Sequence, residues 1–148
     1  MFGWFKPKLP FGLKDSRALP VAQAVTQLLQ LQLAMCGGMA ALPDLLRYPM
    51  VRGYIVGFYD AASQLAGLSL GDESQFVAYM KLCHLTLLEG IIDGPAGFTA
   101  MSLLTQAMPE FMAGQELGGR DYFLWSEDQS KTPTGLSKWL HESSHSDI

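Results

Sequence analysis

Charge is what this chain has least of. Only 16% of its 148 residues are Asp, Glu, Lys or Arg, against about 25% in an ordinary globular domain. So little charge leaves uncharged surface for another macromolecule to cover. Basic residues number 10 against 14 acidic ones. That balance excludes a general nucleic-acid binder, which needs a basic face to neutralise phosphates. Cysteine is almost missing. Cys36 and Cys83 lie in apolar stretches and form no CxxC or knuckle spacing, so free thiols in a reducing, cytoplasmic setting are expected. No glycine-rich phosphate loop, no G-x-S-x-G elbow and no run of alternating apolar residues is present, so the pattern carries neither nucleotide-loop chemistry nor a sheet.

Residues 18–43 carry no charged side chain, which raises the question of a membrane span. Gln23, Thr26, Gln27, Gln30 and Gln32 interrupt the run. Amides are costly in hydrocarbon, whereas a helix bundle satisfies them, so a span is not expected. A secretory leader is not expected either, because Pro7 and Pro10 break the start before an apolar core region can form.

Apolar spacing fits helices throughout. The first helix is expected from near Pro20 to Cys36, ended by Gly37-Gly38, with a short turn at 43–47. A second covers 50–68, with Met50, Val51, Tyr54, Phe58, Ala61, Leu65 and Leu68 on one face. A third covers 73–92 behind Asp72, a good N-cap. A further helical region over 95–117 should kink or split at Pro109 and end at Gly118-Gly119. The segment 121–125 could be helical or extended, and a last short helix is expected near 134–141. The fold class is therefore an all-α single-domain bundle of about five or six helices. It comprises a Pro-broken N-terminal arm (1–17), a helical domain (18–140) and a polar C-terminal tail (141–148). The short connection between them suggests 50–68 and 73–92 as the central antiparallel pair.

The arm carries +3 from Lys6, Lys8, Lys14 and Arg17 against Asp15, and the remainder carries −7. Its Phe2, Trp4 and Phe5 beside lysines suit a membrane surface. Prolines and few cations favour packing on the domain or on a second subunit instead.

Candidate site residues fall in three groups. The stripe Gly53, Gly57, Asp60 and Gln64 and the glutamine face Gln23, Gln27 and Gln30 form a candidate interface. Glycines four apart let a second helix approach, whether from the same chain or from a second copy. Glutamine bonds across a contact without the cost of burying charge. His84, Tyr54 and Met80 form a candidate apolar-ligand pocket. On the helical projection His84 lies mid-face and needs partners for its ring, a backbone carbonyl or a Tyr hydroxyl by preference. His141-Glu142-Ser143-Ser144-His145 fits the H-E-x-x-H pattern of zinc hydrolases, whose histidines share a helix face. It stands in a serine-rich tail with no third ligand following, so no metal, cofactor or catalytic residue is expected. Glu89 and Asp93, one turn apart, read as solvated carboxylates.

The stretch Gly53-Tyr54-Ile55-Val56-Gly57-Phe58-Tyr59-Asp60-Ala61 is similar, over nine residues, to the G-Y-I-x-G-x-x-D-A stretch of the Tai type of small helical immunity proteins. Members are typically exported and disulfide-bonded. Here the cysteine that normally precedes the stretch is missing, and no function is carried across. The function expected from the residues is a non-catalytic protein-interaction module, homodimeric, whose partner is itself or another protein. A small apolar-ligand binder with a pocket near His84 is the alternative, and a metal-dependent hydrolase through residues 141–145 is the remote one.

Overall fold

The protein is described from a computed structural model over residues 9–146. The arm residues 1–8 and the last two residues lie outside the described part, as do the side chains from 143 onward. Among the described residues the chain is all helical, without strands. Its α-helices are α1 (Ala18–Ala34), α2 (Leu42–Leu45), α3 (Pro49–Ala66), α4 (Glu73–Leu88), α5 (Pro95–Leu103), α6 (Pro109–Glu127) and α7 (Gly135–Ser146). That is one or two helices more than the sequence suggests.

Local chemistry sets most boundaries. Proline opens α3, α5 and α6, at a position where its missing N–H costs nothing. Asp72 caps α4, its carboxylate accepting the Gln75 amide at 2.9 Å. Gly67, at φ 65°, ends α3 in the left-handed region, where glycine is favoured. Three boundaries differ from expectation, the first being α7, which continues past 141 to Ser146 through most of the expected tail. The α4 helix stops at Leu88, because Glu89 is extended and Gly90 sits at φ 80°. The α6 helix runs straight through Gly118-Gly119, because helix contact rather than chain reversal selects Gly118.

That contact organises the core. A Cβ on Gly53 would overlap the Phe111 carbonyl of α6, and one on Gly57 the Gln115 carbonyl. In return, a Cβ on Gly114 or Gly118 would overlap the Met50 or Tyr54 carbonyl of α3. The register rises together along both helices, so α3 and α6 run parallel with touching backbones. The expected central pair is thereby corrected. The α3 helix pairs with α6, while α4 packs against α1 and α5. Short connections favour neighbours in general, but here the glycines on α3 and α6 match each other and nothing on α4 does.

Buried aromatics surround the seam. Tyr54 stacks on Phe58, and Phe58 meets the Tyr122 ring edge-on at 5.2 Å. Residues of the arm nearest the domain pack onto it. Leu13 is buried, and Gln75 grips the Gly12 carbonyl and the Lys14 amide. Among the described residues no single helix is long and apolar enough to cross a membrane. The α1 helix would qualify only jointly with residues 39–45, across a bend of 88°.

Candidate functional site

The structure separates the sequence-derived candidates. Gly53 and Gly57 face α6 of the same chain, so their stripe is filled from within. Asp60 and Gln64 lie further along α3, bonded to each other at 3.2 Å, and line an open groove at the α3–α4 connection. Gln23, Gln27 and Gln30 are all exposed on α1.

The expected pocket trio divides as well. Tyr54, Met80 and His84 have no exposed surface, and the two polar ones serve separate networks. The Tyr54 hydroxyl donates to Asp121 Oδ2 at 2.6 Å and accepts from Gln32 Nε2 at 2.8 Å. Gln32 Oε1 accepts the Leu136 amide at 3.1 Å, and Asp121 Oδ2 the Gly135 amide at 3.0 Å. Side chains of α1 and α6 thus cap the first two amides of α7, which no residue of that helix can do. Burial, with Asp121 alongside, holds the Tyr54 hydroxyl proton well above its usual range. The other buried tyrosines are used likewise. Tyr59 meets Thr26 at 2.5 Å, and Tyr79 donates to the Tyr59 carbonyl at 2.8 Å.

His84 meets Thr99 of α5 through Nδ1 at 2.7 Å, with Phe98 edge-on to its ring. Its partner is therefore a threonine hydroxyl rather than the carbonyl or tyrosine expected. Burial lowers the imidazole to about 4, so the ring is neutral near pH 7. Burial also raises both thiols, Cys83 the more strongly, which removes the thiolate character a nucleophile needs.

One strip was missed by the sequence reading. Thr99, Ser102 and Thr105 line one edge of the α5 helix and the turn after it, three residues apart. Arg52 of α3 reaches this strip from below. Its Nη1 donates to the Leu46 and Arg47 carbonyls at 3.0 Å each, and its Nη2 to Thr105 Oγ1 at 3.2 Å. Hydroxyl residues at threefold spacing on an otherwise apolar helix, with one arginine inside an apolar helix, were the available signals.

At the C-terminus, His141 and Glu142 are exposed on α7, and the His145 side chain lies outside the described residues. Among the described residues no three His, Cys, Asp or Glu side chains gather in a metal-binding geometry. Glu89 and Asp93 are exposed.

Two exposed faces are short of charge. On α1 the outer strip contains Gln23, Ala24, Gln27, Gln30, Leu31, Ala34 and Met35, with Leu31 55% and Met35 52% exposed. At the α5–α6 corner Met101, Leu104, Met108 and Met112 are exposed, and Glu110 is the one charged residue from 94 to 115.

Compared with family models, with curated proteins and with solved structures, the chain matches none. The nine-residue similarity around Tyr54 gains no support there, and its two glycines are accounted for by the α3–α6 seam.

Proposed function

We propose that this protein is a non-catalytic interaction module that forms a homodimer through the outer face of α1. The observation that carries the reading is the exposed series Ala24, Gln27, Leu31 and Ala34. Its spacing alternates three and four residues, the repeat of a seam between two packed helices. Alanines keep the approach close, Leu31 supplies apolar area, and the flanking Gln23 and Gln30 bond across without burying charge. A two-fold axis sets the same strip against itself. In a chain of net charge −4, two copies repel least where neither is charged.

An apolar-ligand reading centred on His84, Tyr54 and Met80 has less support, because the first two are committed to different internal networks. The test of the dimer is sedimentation equilibrium at tens of micromolar. The wild-type chain is expected as a dimer and Leu31→Asp as a monomer with unchanged circular dichroism. A wild-type monomer under those conditions overturns the proposal.

A further inference from the structure

On α1 the residues Val21, Ala24, Leu28, Leu31 and Met35 repeat at intervals of three and four, the spacing of a helix–helix seam. All five are apolar. Val21 and Leu28 are half-buried and Ala24 is exposed, while Leu31 and Met35 are 55% and 52% exposed. The series is centred on Leu28, with Val21 and Met35 at equal distances on either side. Alone it is too small to hold two copies. Residues 21 to 35 cover about 21 Å of a helix about 10 Å wide, a footprint of roughly 200 Å² against the about 800 Å² per partner of a stable interface. A lasting pair has to spread onto the surface beside the helix.

The uncharged surface does continue there. Between α1 and α6 lies a groove of about 430 Å³, lined by Val21 and Ala24 of α1, Leu65 and Ala66 of α3, and Tyr122 and Trp125 of α6. Leu65 is 51% exposed, and the Tyr122 and Trp125 rings lie 5.6 Å apart. Among the described residues none that lines the groove is charged, so a chain of net charge −4 meets no like charge of its own there. Ala24 belongs to both the seam and the groove. The groove adjoins the N-terminal half of the series, whereas the longest exposed side chain, Met35, stands at the C-terminal end. A parallel pair would set Met35 against its own copy. An antiparallel pair lays it across Val21 of the other copy, at the mouth of the groove, and sets opposite ends of the two helix dipoles together. An unbranched thioether follows an irregular groove and makes favourable contact with aromatic rings.

We propose that two copies pair antiparallel, with Leu28 at the two-fold axis and Met35 of each copy seated in the groove between α1 and α6 of the other. The proposal rests on the α1 homodimer reading. It adds the orientation of the pair and the side chain that fills the groove.

The test uses the full chain in two measurements. Single cysteines are placed in a Cys36→Ser background, because Cys36 is a free, half-buried thiol, and the protein is mildly oxidised at tens of micromolar. Thiols link only where their Cα atoms come within about 7 Å. Leu28→Cys is expected to link to itself. Met35→Cys is not, since the antiparallel pair separates its two copies by about 21 Å along the helices. Mixed with Val21→Cys, it is expected to give a linked dimer. In the second measurement the Trp125 Nε1–H resonance is expected to differ between the wild-type dimer and the Leu31→Asp monomer. Met35→Ala should weaken dimerisation about tenfold with unchanged circular dichroism. Sedimentation separates the two ways to fail. A wild-type monomer overturns the α1 contact and this arrangement together. A dimer in which Met35→Cys links to itself, Leu28→Cys fails to link, or Trp125 keeps its monomer resonance overturns the antiparallel seating alone.

Discussion

The two helix junctions that meet on α3 are built on opposite terms. Along α6 the backbones touch, the glycines interlock, and the Tyr54 hydroxyl beside the seam has both its partners at hydrogen-bonding distance. Toward α5 the side chains are larger and polar, and three buried atoms stand unpartnered. The first junction is finished by the chain itself and tolerates nothing added. The second leaves polar atoms that the chain itself does not pair. A seam without side chains is rigid because nothing in it can rotate away, whereas hydroxyl side chains can turn when a neighbour changes.

The largest expected effect tests the rigid side. Gly57→Ala places a methyl on the Gln115 carbonyl, and relief requires moving a whole helix. Denaturant unfolding should show a loss of about 3 kcal/mol or more, and a near-neutral result would mean that α3 and α6 do not touch as described. On the α5 side, His84 makes stability depend on pH. Its folded value of about 4 lies below the ordinary 6.5, so the unfolded chain takes up the proton first as pH falls. The contribution is complete above pH 6.5 and declines toward pH 4, by about 3 kcal/mol in all. His84→Leu should flatten that part of the stability-pH curve, and an unchanged slope would place the imidazole in water.

A smaller effect compares the polar networks. Tyr54→Phe deprives Gln32 of its acceptor and Asp121 of a donor, and should cost about 1–3 kcal/mol. Amide exchange at Gly135 and Leu136 should quicken with it, since their acceptors lose orientation. The smallest change has the opposite sign. Gly97 lies within α5 with nothing near a built Cβ, so Gly97→Ala should stabilise by about 0.5–1 kcal/mol. The same substitution thus separates the two junctions by direction, lethal to packing at 57 and helpful at 97.

Much of the fold was legible because its signals are local. Asp72 announces α4, Pro109 marks the break between α5 and α6, and the periodicity of 50–68 marks a buried helix. What was not legible is pairing. Gly53 and Gly57 state that something comes close, but the complement at Gly114 and Gly118 lies 61 positions further on, and Gly118 reads in sequence as a helix end. The polar site was legible only in part. His84 was identifiable from its position among apolar residues, while Thr99, Ser102 and Arg52 look ordinary until α5 is laid against α3 and α4. Asp121 and Gln32 were unreadable as caps for a simple reason. A cap normally sits beside the helix it serves, and these two come from other helices.

That remote capping has a consequence for how the chain reaches its final form. The Leu136 amide finds its acceptor 104 positions back, and the Gly135 amide 14 back. Neither acceptor is in place until α1 and α6 have already settled around Tyr54. The last helix is therefore expected to order late, as a seal set on an assembled body. Its amides are the natural clock for watching the molecule close.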